Sequence, residues 1–142
     1  MSTEENKSLC RRFFEEVWGK GNLSVADEVL ASNFVLRNVP QGVKPDREGY
    51  KQWAGMVCSG FTDRQGTIEE QIAEGDKVAC RWTLKGTHTG DMMGMAATNK
   101  QATITGITID RLEGGKIVEE WNEVDMLGMM QQIGLIKPPG HE

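Results

Sequence analysis

The hydrophobic pattern of this 142-residue chain changes its period once, and that change constrains the fold more than any other feature. Over 9–18, 25–30 and 46–58, apolar residues recur at the three- and four-residue intervals of helices. From about residue 67 onward they alternate with polar residues, as in 78–84, where every second side chain is apolar. Helices followed by strands predict an α+β fold, in which the early helices cover one face of a curved, mostly antiparallel sheet and leave an internal pocket.

Local signals predict where these elements begin and end. Ser2 to Glu5 has the spacing of a capping box, so the first helix should start there and end near Gly19. The glycine-containing segments 74–76 and 113–116 predict two hairpin turns. A short last helix is expected over 126–133, where Gly134 stops it.

Size and charge limit the classes of protein to consider. The length predicts a single domain over 1–136 and a short tail over 137–142. The net charge is −5 and the basic residues are scattered, so we expect no nucleic-acid partner. An acidic N-terminus, with no long apolar stretch anywhere, predicts a soluble cytoplasmic protein with no membrane partner.

Metal and nucleotide chemistry have little support in the sequence. The three cysteines, Cys10, Cys58 and Cys80, are widely spaced and fit reduced thiols in a core. With only His88 and His141 beside them, we expect no metal site. Nucleotide-binding and serine-hydrolase motifs are missing from the sequence, and we expect no cofactor.

The second hairpin predicts which side chains share a face of the sheet. A two-residue turn at Gly114 and Gly115 would pair Thr108 with Trp121. The opposite face, a candidate subunit interface, would then carry Ile107, Ile109, Val118 and Val124. A bulge at Gly106 would upset this register.

Four segments, in this order and spacing, resemble the SnoaL-like polyketide cyclase family. They are Phe13 to Trp18 with Gly21-Asn22, Glu74 to Val78, Gly86 to Gly90, and Gly115 to Trp121 with Asp125. The resemblance implies the cone-shaped fold of nuclear transport factor two and ketosteroid isomerase, usually as a homodimer or larger assembly, without metal or organic cofactor. It also implies aldol closure of polyketide esters by a carboxylate acting as general acid and base, at the position of Asp125. Arg37, Ala97 and Asn99 depart from the family pattern.

Asp125 and His88 are therefore the candidate catalytic residues. Asp125 shares strand parity with Trp121 and Glu123, and an apolar wall beside it would raise the pKa of its carboxyl group. The alternative is that Asp125 caps the helix that starts at Met126. His88 has the parity of the apolar residues of its strand and would share a proton with Asp125, or else be a hydrogen-bonded histidine at the strand end.

Further side chains are candidates for the substrate pocket. Arg37 would bind a substrate oxygen or pair with Asp125, or else lie at the surface. Residues that either line the pocket or fill the core are Trp18, Trp53, Met56, Phe61, Trp82 and Trp121. The loop 91–97 contains Met92, Met93 and Met95 and suits a lid over an apolar ligand, or dimer packing.

Three functions follow from these expectations. The first is a cofactor-free enzyme that removes a proton beside the carbonyl group of a small hydrophobic molecule, leading to ring closure or isomerisation. The second is a binding protein of the same fold without chemistry. The third is an epoxide hydrolase that uses Asp110, Arg111 and Asp125 to activate water, although strand alternation sends Asp110 and Arg111 to opposite faces.

Overall fold

The computed structural model describes residues 2–91 and 94–136. The predicted tail over 137–142, and Met92 and Met93 of the predicted lid, lie outside these residues. The four α-helices are α1 (Thr3–Phe13), α2 (Ser24–Val29), α3 (Arg47–Gly60) and α4 (Met126–Gln132). The five strands are β1 (Leu30–Leu36), β2 (Phe61–Glu74), β3 (Lys77–His88), β4 (Gln101–Glu113) and β5 (Lys116–Val124).

The first helix forms as its sequence predicts. The Ser2 hydroxyl accepts a hydrogen bond from the Glu5 backbone N–H, and the Glu5 carboxylate accepts one from the Ser2 backbone N–H. After Phe13 the chain continues as a π-helical turn over Phe14–Gly19. This turn carries Phe14 and Trp18, which both line the cavity between the helices and the sheet.

The strands form one curved, mixed sheet in the order β1-β5-β4-β3-β2. β1 runs parallel to β5, and every other neighbouring pair is antiparallel. Along β3, buried and more exposed residues alternate from Val78 to His88, so one face of the strand is covered by the helices. The predicted α+β fold, with N-terminal helices on a curved sheet, is confirmed.

The predicted register of the second hairpin is wrong by one residue. Glu113 pairs with Lys116 and Leu112 with Ile117, as a two-residue turn requires, but Arg111 then pairs with Glu119. Val118 is an extra residue in β5 without a partner on β4. Because side chains alternate along a strand, this bulge exchanges the two faces of β5 from that point on.

The outer face of the sheet carries exposed apolar side chains. Ile107 is 51% exposed and Ile109 is 39% exposed, as predicted for a face that lies away from the helices. Val124, assigned to the same face from the sequence, instead lines the cavity on the inner face. Assembly of a homodimer through this surface stays a prediction. Among the helices of residues 2–91 and 94–136, none is long and apolar enough to cross a membrane.

Candidate functional site

A cavity of about 70 Å³ lies between the helices and the inner face of the sheet. Its walls are mainly apolar, and six of the side chains that line it are aromatic: Phe13, Phe14, Trp18, Tyr50, Trp53 and Trp82. Tyr50 lies at the centre of this aromatic wall, because its ring centroid is 5.9 Å from that of Trp18 and 5.5 Å from that of Trp53. Its hydroxyl oxygen accepts a hydrogen bond of 2.7 Å from Trp18 Nε1.

Two carboxyl groups, Asp110 and Glu120, lie in this apolar wall. They occupy directly opposite positions on β4 and β5, so their side chains project from the same face of the sheet. Asp110 is only 3% exposed and Glu120 only 1% exposed. Both line the cavity, and we refer to them as the carboxyl pair.

Burial makes the carboxyl pair hold protons more tightly than exposed acids do. Loss of hydration raises the pKa of Asp110 to about 6. Burial, and then the negative charge of Asp110, raise the pKa of Glu120 well above its usual range. The two groups are coupled, because the charge of one opposes ionisation of the other, and above about pH 6 the pair carries negative charge.

A chain of hydrogen bonds connects Trp82 to this pair. Trp82 Nε1 donates to Thr108 Oγ1 over 2.9 Å, and the Thr108 hydroxyl donates to Asn122 Oδ1. Asn122 Nδ2 in turn donates to Glu120 Oε1. Because the Asn122 amide is held at both ends, one oxygen of Glu120 has a fixed donor, while the rest of the pair faces the cavity.

The position of Trp82 depends on a glycine in the neighbouring strand. Gly106 lies opposite Trp82, and a Cβ atom there would be 2.3 Å from Trp82 Cζ2 and 2.8 Å from the Glu123 carbonyl oxygen. The missing side chain therefore lets the indole lie across β4 and reach Thr108. No bulge occurs at Gly106, where β3 and β4 pair without interruption.

Gly106→Ala is accordingly expected to lower the free energy of unfolding by about 1–3 kcal/mol, because the indole or β5 must shift. Urea denaturation measures the change. Gly19→Ala is the control, since its Cβ would meet no atom closer than 4.0 Å. An unchanged stability of the Gly106 variant would contradict this account of Trp82.

Asp125 does not lie where strand parity placed it. β5 ends at Val124, and the exposed Asp125 side chain caps α4 by accepting a hydrogen bond of 2.8 Å from the Gly128 N–H. The alternative that this residue is a helix cap is confirmed. Its carboxylate does not line the cavity. The prediction of an apolar wall beside it is wrong, because the chain turns into α4 at this point.

His88 is fully buried at the end of β3, as its parity predicted, but it does not line the cavity either. Its Nδ1 lies 3.1 Å from Thr98 Oγ1, and its ring packs at 5.2 Å from that of Phe61. Its backbone N–H donates a hydrogen bond to the Lys100 carbonyl, and its own carbonyl accepts one from the Asn99 N–H. These bonds hold the segment before β4 against the end of β3. This arrangement matches the alternative predicted from the sequence, a hydrogen-bonded histidine at the end of a strand.

The two candidate arginines lie on the outer face of the sheet. Arg37 Nε is 2.6 Å from Glu119 Oε2, and Arg111 Nε is 2.8 Å from Glu119 Oε1. Arg111 first, and then Arg37, hold the pKa of Glu119 below its usual range. The predicted pairing of Arg37 with Asp125 is therefore wrong, and Asp110, Arg111 and Asp125 do not converge as the epoxide hydrolase hypothesis requires.

The predicted pocket residues lie in three places. Trp18, Trp53 and Trp82 line the cavity. Phe61 and Met56 pack in a hydrophobic core cluster and do not line the cavity. Trp121 pairs with Ile109 and lies on the outer face because of the bulge at Val118.

Sequence reasoning did not assign the carboxyl pair as the site. The sequence does contain a signal for the burial of Asp110. This residue shares strand parity with Ile104, Thr108 and Leu112, so it is an acidic residue on the face of β4 that is otherwise mostly apolar. The sequence contains no such signal for Glu120, because an unbroken strand register would place its side chain on the outer face. The bulge brings it opposite Asp110.

Comparisons with known proteins match most of the chain to one family. The family described as SnoaL-like polyketide cyclase matches residues 8–133. Nogalonic acid methyl ester cyclase from Streptomyces nogalater is 24% identical over 116 residues, which cover 80% of this chain and 87% of that relative.

Solved structures are similar over almost the whole chain. TsrD from Streptomyces laurentii superposes with a TM-score of 0.86 at 24% identity, covering 96% of this chain and 99% of that one, and shows the shared fold. A candidate polyketide cyclase from Acidithiobacillus ferrooxidans superposes with a TM-score of 0.80 at 29% identity, covering 94% and 97%. The protein therefore belongs to the SnoaL-like polyketide cyclase family.

Proposed function

We propose that the protein is a cofactor-free acid–base catalyst that acts on a small hydrophobic carbonyl compound, with Asp110 and Glu120 as the proton-transferring groups. The observation that carries this proposal is a pair of buried, directly opposed carboxyl groups on the wall of an aromatic cavity. A general base works best when its pKa is near the working pH, and burial raises that of Asp110 to about 6.

A pair with one ionised and one protonated carboxyl group suits the formation of an enolate. The ionised member takes the proton from the carbon beside the carbonyl group, and the electrons of the broken C–H bond move to the carbonyl oxygen. The protonated member, or the Tyr50 hydroxyl, donates a hydrogen bond to that oxygen. Attack of the enolate carbon on a second carbonyl closes a ring, and the alkoxide formed there takes the abstracted proton back from the pair, whereas return of the proton at another carbon gives isomerisation.

The apolar lining of the cavity supports a hydrophobic substrate for this reaction. The relative from Streptomyces nogalater is named for a methyl ester, which makes esters and ketones of this kind the first compounds to test. Asp125 as the base stays a prediction from the resemblance. Its surface position makes it the second choice here.

Exchange of the α-protons of bound compounds in D₂O, followed by NMR, tests the proposal. Hydrophobic ketones and methyl esters, such as acetophenone and methyl phenylacetate, are first screened for binding by saturation transfer. For compounds that bind, we expect the wild-type protein to exchange the α-protons faster than buffer does. Binding with exchange at the buffer rate for every compound would favour the binding-protein alternative.

A further inference from the structure

The main cavity has an unbalanced charge. Burial raises the pKa of both members of the carboxyl pair, that of Asp110 to about 6, so at pH 8 the pair carries at least one negative charge. Of the residues that line the cavity, as far as the structure describes the chain, none is a lysine, arginine or histidine. A buried charge without a partner is costly, so a cation that enters the cavity would gain from it.

The pair also offers hydrogen-bond acceptors to a ligand. Asp110 Oδ1 and Glu120 Oε2 are buried and accept no hydrogen bond from a nitrogen within residues 2–91 and 94–136. The donors beside them are the Cys10 thiol, the Tyr50 hydroxyl and a proton held between the two carboxyl groups. An ammonium group brings up to three further donors and a positive charge.

Aromatic rings surround the same space. Trp18, Trp53 and Tyr50 meet edge to face, with the centroids of Trp18 and Trp53 only 5.0 Å apart. Faces of aromatic rings attract cations, and tryptophan does so most strongly. An aromatic wall beside a carboxylate therefore suits a ligand that is positively charged at one end and apolar at the other.

We propose that this cavity binds a hydrophobic amine in its ammonium form, with the nitrogen against Asp110 and Glu120 and the apolar part against the aromatic wall. The proposal deepens the proposed function, since it rests on the same carboxyl pair and adds a nitrogen-containing class of ligand. An amine that also carries a carbonyl group would be a substrate, and a simple amine an inhibitor.

The other titratable groups that face the pair supply no charge at neutral pH. They are Cys10 on α1, Tyr50 on α3 and Cys80 on β3. Burial raises the pKa of all three, that of Cys80 to about 11, so they stay uncharged at neutral pH. The charge seen by a ligand between pH 5 and pH 8 is therefore that of Asp110 and Glu120.

Calorimetric titration with benzylamine and with benzyl alcohol, which is similar in shape but uncharged, tests the inference. Benzylamine is an ammonium ion at both pH 5 and pH 8, whereas the pair loses a proton between them. We expect the amine to bind up to about 10-fold more tightly at pH 8 than at pH 5, because ionisation of a group with a pKa of about 6 is nearly complete over this range, and the alcohol to bind equally at both. Equal pH dependence for the two compounds, or amine binding no tighter than alcohol binding at pH 8, would overturn the inference.

Two variants locate the binding site. Asp110→Asn should remove the preference for the amine, whereas Glu119→Gln, a like change on the outer face, should keep it. A preference that persists in folded Asp110→Asn protein places the cation elsewhere and refutes the proposal. If that variant does not fold, the pH comparison on the wild type still decides. A wild-type protein that exchanges ketone protons but ignores benzylamine would refute this inference alone and leave the proposed function intact.

Discussion

Glu120→Gln is expected to lower the rate constant for α-proton exchange of a bound ketone by about 10²–10⁴-fold, the usual contribution of a positioned acid or base. The amide keeps the shape of the side chain but cannot hold or pass on the shared proton. It also removes the charge coupling that helps to set the protonation of Asp110. NMR exchange rates at saturating ketone, measured beside a binding titration, separate loss of chemistry from loss of affinity.

The chain offers a matched control for this variant at the next position. Glu119→Gln is the same change on the same strand, but Glu119 lies on the outer face between Arg37 and Arg111. We expect it to leave the exchange rate near that of the wild type. Asp125→Asn decides between the carboxyl pair and Asp125 as the site of proton abstraction. A large loss of rate in this variant, with little loss in the Glu120 variant, would identify Asp125 as the base.

The free energy of unfolding should fall as the pH rises from about 5 to 8, and the carboxyl pair should cause most of that fall. A carboxyl group whose pKa is higher in the folded than in the unfolded state binds more protons when folded. Its stabilising contribution is complete below the unfolded pKa, and is lost as the pH rises through the folded one. For Asp110 the pKa rises from 3.8 to about 6, and at about 1.4 kcal/mol per unit this corresponds to about 3 kcal/mol over the whole titration, about half of it between pH 5 and pH 8.

Urea denaturation at several pH values, for the wild type and for Asp110→Asn with Glu120→Gln, measures this effect. The double variant has no ionisable carboxyl group in the cavity, so its stability should change much less over the same pH range. At pH 8 it should be more stable than the wild type, because a buried charge has been removed. Parallel pH curves for the two proteins would show that the pair is not buried as described. Glu119→Gln should keep the wild-type curve, because its pKa is lowered and its titration lies below this range.

The sequence alone determined the order and type of the elements. The capping box at Ser2, the turn at Gly114 and Gly115, and the Asp125 cap are local, since each depends on residues a few positions apart. The change from helical to alternating period likewise depends on neighbours in the chain. Such signals predicted α1, the two hairpins and α4 close to their observed bounds.

The site depended on information that local patterns do not contain. One unpaired residue, Val118, moves Glu120 and Asn122 to the inner face and Trp121 to the outer face. Without that bulge, Asp110 would face Glu119, and the acids of β5 would be assigned to the wrong sides of the sheet. A bulge is a property of the pairing between two strands.

Burial, too, was decided only by the tertiary structure. Glu119 and Glu120 are neighbours of identical chemistry, yet the pKa of one is lowered and that of the other is raised. Helices that are distant in sequence remove water from Glu120, whereas Arg37 and Arg111 stabilise the charge of Glu119. The sequence by itself therefore determined which elements form, because those interactions are local. Only the packed sheet and helices decided which acid became reactive, because hydration depends on everything that surrounds a side chain in space.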